Sequence, residues 1–219
     1  MPSKSFRKFE TKLLVDVDRI IDSHAFLNHD GGGRRGLGHI TRSGVLMLCA
    51  AWELYVEDAL QESVEYFIDK YENPKDLPKP VKKELAKTVK ESKHELKPLE
   101  LAGEGWKSLY RNHVSEVLRG LNTPKSGNLD ILFNRMIGVP RVSDWWSLGK
   151  DEIDHFVTMR GDVAHRGSDA KYVTIKKLKD YKGKVTQTTL DLDNELTEYL
   201  CRVTPGIERP WRRRKVNGE

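Results

Sequence analysis

Apolar residues in this chain recur three or four positions apart over nearly its whole length, and nowhere do they alternate with period two for long enough to build a sheet. That pattern predicts an all-α fold, a helical bundle. From Ser5 to about Leu27, the residues Phe6, Phe9, Leu13, Val17, Ile20 and Ile21 mark one amphipathic helix that stops at the glycine-rich run HDGGGRRGLGH. From about Ile40 to Tyr71 comes the most apolar helix, with Leu46, Cys49, Trp52, Val56, Ala59, Leu60, Val64, Phe67 and Ile68, and it is expected to be the central packing element.

The three prolines of ENPKDLPKP end that helix and open a polar stretch from about 72 to 105, with a short charged helix over Val81 to Glu91. This stretch is expected to be a peripheral insertion. Helical spacing returns at Trp106, Leu109, Val114, Val117, Leu118 and Leu121, and after the turn TPKSGN, Asn128 is placed to cap a short helix over LDILFNRMIG. Beyond VPRVSDWW, Ser147 or Asp151 starts a helix carrying DEIDHFVTMRGDVAH, its inner side formed by Ile153, Phe156, Val157 and Val163. From Thr174 to Val203 the spacing predicts one long helix, or two broken near Gly183, and Pro205 ends it. The expected organisation is one helical domain, 1–204, and a basic C-terminal tail, 205–219.

The net charge of +5 is unevenly placed, because residues 208–219 set Arg209, Arg212, Arg213, Arg214 and Lys215 against only Glu208 and Glu219. The body is nearly neutral, so contacts with nucleic acid are expected from local patches, not from a broad basic groove. Cys49 and Cys201 lie too far apart in sequence for metal or redox spacing and read as inert thiols. No segment has the length of apolar sequence that a membrane span needs, and MPSKSFRKFETKLL lacks a signal peptide's apolar core, so a cytoplasmic location without membrane association is expected.

An Arg followed five positions later by His occurs three times: Arg19 with His24, Arg34 with His39, and Arg160 with His165. Spacing alone does not choose among them. The second pair lies in the glycine-rich loop, which cannot hold catalytic groups to tolerance, and the first has no glycine or turn beside it. Arg160 and His165 lie at the end of a well-patterned helix, about 140° apart on an ideal helix, with Gly161 and Gly167 available to relax that angle. A second copy across a two-fold axis would put two Arg and two His around one cleft.

The pair Arg160 and His165, the following Gly167, and the upstream helix LMLCAAWELYVEDAL resemble the HEPN superfamily, in particular its RiboL-PSP-HEPN branch. The resemblance covers about 40–71 and 106–203. It implies metal-independent cleavage of RNA at a homodimer cleft, with no cofactor, His165 moving protons and Arg160 holding phosphoryl oxygens. The chain departs from the family pattern directly after the Arg, where a polar residue is usual: here Gly161 stands there and Asp162 follows. A toxin or defence effector fits this reading, its partner an antitoxin or regulatory protein. The alternative is a catalytically inactive HEPN domain that uses the same face to bind RNA or a protein partner.

Further residues carry weaker readings. Glu53, beside Trp52, either orients Arg160 or stands as a solvated carboxylate, and Asp162 is a second supporting candidate. Arg34, Arg35, Arg166, Arg212, Arg213 and Arg214 are candidate RNA contacts, although the tail is equally a solvating end. Trp145 and Trp146 either stack on bases or, more in keeping with their type, pack in the core. His24, His29 and His39 have no cysteine nearby and no ligand register for zinc, and GGGRRG lacks the lysine of a P-loop.

Overall fold

The computed structural model describes residues 1–28, 36–170, 173–206 and 208–214, and every regular element among them is helical. Helix α1 (Lys4–Lys8) passes through a π-helical turn, Phe9–Leu13, into α2 (Leu14–Leu27), so the first amphipathic stretch is one continuous rod. Then come α3 (Gly38–Lys70), α4 (Lys79–Lys90), α5 (Gly105–Leu118), α6 (Ser126–Ile137), α7 (Lys150–Arg166) and α8 (Ile175–Val203). Helix α8 runs unbroken through Gly183.

Helix α3 is the axis of the bundle and packs against α1, α2, α5, α6, α7 and α8. It is apolar around most of its circumference, so it needs neighbours on nearly every side. Trp52 and Tyr55 are fully buried at its middle, where Tyr55 meets Phe6 and Phe9 and Trp52 meets Trp146 edge-on. Their polar atoms are satisfied by distant backbone: Trp52 Nε1 donates to the carbonyl of Pro124 at 3.0 Å, and Tyr55 OH to that of Thr189 at 3.1 Å. Each aromatic thus brings the full free energy of burial, about 1.5–3 kcal/mol for a large apolar side chain, without stranding a donor.

A recurring device ties distant segments together, in which a serine donates both its backbone N–H and its hydroxyl to one carboxylate from elsewhere in the fold. Ser5 gives both to Glu62 (2.9 and 2.6 Å), Ser126 to Asp154 (2.7 and 2.6 Å), Ser143 to Asp130 (2.8 Å each) and Ser147 to Asp191 (2.8 and 2.6 Å). A carboxylate at a helix start satisfies orphan donors and complements the helix dipole. The Asp154 clasp ties α7 to the start of α6. It also corrects an expectation: α6 begins at Ser126 under Asp154, while Asn128 lies inside the first turn and donates its side-chain amide to the carbonyl of Thr123 at 2.8 Å. Similarly, α7 begins at Lys150 after Gly149, and Ser147 is engaged with Asp191 instead of capping it.

Two stretches expected at the margin are built into the body. Leu77, Val81 and Leu85 of the 72–105 segment join the core, and α4 packs on α6 through that face. Charged residues hide this in sequence because only one side of a short helix has to be apolar. Beyond α8, residues 208–214 form a strap. Trp211 is buried, donating its Nε1 to the carbonyl of Asp193 (2.9 Å) and accepting from Thr197 Oγ1 at its own carbonyl (2.6 Å). Arg212 N donates to the Met1 carbonyl (2.9 Å), and Asn194 holds Arg214 by both backbone groups (2.8 and 3.0 Å).

Candidate active site

Helix α7 buries Ile153, Phe156, Val157, Met159 and Val163. This leaves Arg160 half-buried at the edge of that face and His165 exposed in the last turn. Gly167 ends the helix at φ +51°, a left-handed conformation that glycine adopts without strain. Gly161 is an ordinary helical residue, so it does not bend the helix, and a Cβ built on it would meet nothing within 4 Å. The two side chains therefore stay at about 140° from one another around α7, as for any residues five apart on a regular helix.

The charge of Arg160 is felt at the middle of α3. Its field acts on both Cys49 and Glu53, one turn apart on that helix. Burial pushes the Cys49 thiol up to about 11, against the pull of Arg160, so this sulfur is a protonated, inert core group. Burial likewise raises the Glu53 carboxyl above its ordinary value, with Arg160 opposing the shift. Glu53 is only partly exposed, its Oε2 is buried without a hydrogen-bond partner, and no N···O contact with Arg160 closes to 4 Å. Glu53 thus lies in the electrostatic reach of Arg160 instead of pointing into bulk water.

Next to this turn α3 shows an apolar face to solvent: Leu46 is 38% exposed, Met47 39% and Leu54 41%, with Ala50 exposed between them. On an ideal helix these four span about 100° and adjoin Glu53. The spacing predicts Leu46 in the core, whereas the fold leaves it in an exposed stripe. Its signal was present, since a helix that is apolar nearly all round has more apolar surface than one bundle can cover.

The remaining candidates are scattered. Asp162 is half-buried and lies one turn from Arg166, whose Nε is 4.0 Å from its carboxylate. Arg213 pairs with Glu195, and Arg214 pairs with Glu10 and lies over the Phe6 ring, so both are spent on holding the strap. Arg212 is exposed and makes no ion pair among the described residues. Trp146 is buried and Trp145 packs against Tyr199, which makes both of them core. Arg34, Arg35 and His29 lie outside the described residues. Among the described residues no group of three or more His, Cys, Asp and Glu is placed to hold a metal ion, and no helix is long and apolar enough to cross a membrane.

The fold is an all-α bundle, as HEPN domains are, with Arg160 and His165 on its penultimate long helix. The RiboL-PSP-HEPN family model matches residues 8–198, and the chain belongs to that family. The match runs through the first helix and through the 72–105 segment, a wider span than the motif-bearing helices alone. Membership goes with a nuclease-type, RNA-related role in general. No curated protein and no solved structure matches the chain.

Proposed function

We propose that the chain is a metal-independent endoribonuclease that works as an isologous homodimer, with Arg160 and His165 as its catalytic residues. The observation that carries this reading is the position of the pair: on one helix, with His165 in solvent and Arg160 set over Glu53, beside the uncovered stripe of α3. A second copy meeting that stripe would bury Leu46, Met47 and Leu54 and bring two α7 ends to one cleft.

The chemistry follows from the groups. A neutral imidazole of His165 takes the proton of a ribose 2′-hydroxyl, whose oxygen attacks the adjacent phosphorus. The bond to the 5′-oxygen breaks, and the partner subunit's His165, protonated, gives that oxygen its proton. The strand then ends in a 2′,3′-cyclic phosphate. Arg160 stabilises the charge that builds on the phosphoryl oxygens. DNA has no 2′-hydroxyl and is refused. A toxin or defence effector, held in check by an antitoxin or regulatory protein, is the biological setting that this activity fits best.

The test is cleavage of a mixed-sequence RNA by the wild type and by His165→Ala and Arg160→Ala, each expected to lose at least about 100-fold. Excess EDTA should leave the wild type unchanged. Cleavage that survives His165→Ala, or that needs a divalent ion, rejects the mechanism. A wild type that binds RNA or a protein through this face and cuts nothing establishes the second reading, an inactive HEPN domain, which Gly161 favours by standing where the family usually has a polar residue.

A further inference from the structure

Helix α4 carries five lysines, Lys79, Lys82, Lys83, Lys87 and Lys90, and a single acid, Glu84. The acid does not balance them. Glu84 is turned inward, accepting from Arg135 through Nε (3.1 Å) and Nη2, with His113 Nε2 at 3.1 Å from the same carboxylate. Those bonds hold its carboxyl below the usual range and keep it charged, so its negative charge is spent inside the fold.

The inner face of α4, Val81, Leu85 and Val89, is packed, so the lysines face outward, and all five are exposed. None has a carboxylate within 4 Å among the described residues, although Glu72, Asp76 and Glu91 lie near the helix ends. Among the described residues only Lys82 has an acceptor, the carbonyl of Lys75 at 2.7 Å. Lys79, Lys83, Lys87 and Lys90 follow one another at steps of four, four and three, a row of like charges about 16 Å long. Such neighbours repel and destabilise a helix, so the row is costly to keep unless something anionic covers it.

We infer that the outer face of α4 is a docking surface for the phosphate backbone of single-stranded RNA, apart from the Arg160 cleft. This rests on the ribonuclease reading above and names where its substrate is held. A regular row of cations fits a regular row of phosphates and needs no sequence. An anionic membrane fits less well, because a helix lying in a lipid interface must insert an apolar face, and that of α4 is already buried in the core. The lysines add affinity without touching the reacting phosphate, since α4 turns its inner face to α5 and α6 and makes no packed interface with α7.

The experiment uses the full chain and a fluorescein-labelled 30-nucleotide RNA carrying 2′-O-methyl groups, which binds but offers no nucleophile. Lys79, Lys83, Lys87 and Lys90 are changed together to Gln. A control variant carries Lys12→Gln, Lys150→Gln, Lys176→Gln and Lys179→Gln, the same loss of charge elsewhere on the surface. Anisotropy titrations across a salt series should show the α4 variant weaker by about 30-fold or more, with the slope of log affinity against log salt reduced by roughly three. The control should change little, and both variants should melt as the wild type does. Equal binding by the α4 variant and the wild type overturns the docking surface and leaves the ribonuclease reading standing, as does an equal loss in the control. A wild type that binds no RNA removes both readings. Binding to phosphatidylglycerol vesicles that the α4 variant loses, with RNA binding intact, makes this face a membrane contact and overturns the inference.

Discussion

Glu53 of α3 and Arg160 of α7 are charged groups of opposite sign that feel each other across a helix–helix contact without closing into an ion pair. A closed pair would neutralise the guanidinium and hold it down. On the proposed mechanism, an open one positions Arg160 and leaves its donors available to a phosphate. The arrangement leaves Glu53 with a buried, unpartnered oxygen, a local cost to the fold.

Glu53→Gln should therefore separate activity from stability. Removing the carboxylate charge lets Arg160 move, and RNA cleavage is expected to fall between about 10- and 100-fold, the scale of a misplaced catalytic group. Stability should go the other way. The Glu53 carboxyl is raised by burial, so its stabilising contribution is present below its unfolded value and lost as pH rises through its folded one. At pH 8 the Gln variant, with no charge to bury, should unfold in urea at no lower a concentration than the wild type. A large loss of stability at pH 8 with unchanged turnover would show that Glu53 braces the fold and does not position Arg160.

The exposed stripe of α3 gives a second prediction. Met47→Glu combined with Leu54→Arg changes residues about 40% exposed, so the folded protomer should lose within about 0.5 kcal/mol per site. Two charges placed at the centre of an apolar interface would be stranded on association. Light scattering at micromolar concentration should find a dimer for the wild type and a protomer for the double variant, with cleavage lost as the second His165 departs. A double variant that remains dimeric places the interface elsewhere.

Two helical glycines should respond in opposite ways to alanine. At Gly161 a Cβ meets nothing within 4 Å, so Gly161→Ala should raise stability by about 0.5–1 kcal/mol through a less flexible unfolded chain. At Gly44 the added atom would run into Leu178 and lie 3.2 Å from Ile20 Cγ2, where α2, α3 and α8 come together. Gly44→Ala should cost about 1–3 kcal/mol as the core shifts to admit it. Denaturant midpoints decide both, and a stabilised Gly44→Ala would mean that Leu178 has room to move.

How much of this was readable beforehand depends on the range of the interaction. The long helices were, because α3, α7 and α8 write their buried faces into a spacing of three or four, and so was the placement of Arg160 and His165 on one of them. The serine clasps were not, since Ser5 and Glu62 are 57 residues apart and no local pattern links them. The strap is hidden for a similar reason: RPWRRRK reads equally as an RNA contact or a solvating end until Glu10 near the N-terminus and Glu195 and Glu198 of α8 are placed beside it. At the site, the Arg and His were legible as a motif, while the reach of Arg160 to Cys49 and Glu53 needed the packing of α7 on α3.

Asp193 yields the sharpest pH dependence. It lies on α8 with 0% of its surface exposed, and its Oδ1 has no hydrogen-bond partner. Its carboxylate meets Ser3, whose N–H lies at 3.5 Å from Oδ2 and whose hydroxyl also bears on it. Burial raises its carboxyl to about 6, Ser3 holds it back, and Glu62 and Glu10 add to the rise. Because the folded value lies above the unfolded one, the stabilising contribution is complete below about 3.8 and disappears as pH climbs through about 6. Above that the fold must bury a charge it barely solvates. Asp193→Asn keeps the shape and can still accept from Ser3, so at pH 7.5 it should be more stable than the wild type by up to about 3 kcal/mol, the equivalent of two pH units. At pH 4 the two proteins should be nearly equal. Urea unfolding at both pH values reads this as a difference of differences, in which other titrating groups cancel. If Asp193→Asn is destabilised by the same amount at both, the carboxylate is better solvated in the fold than its surroundings indicate.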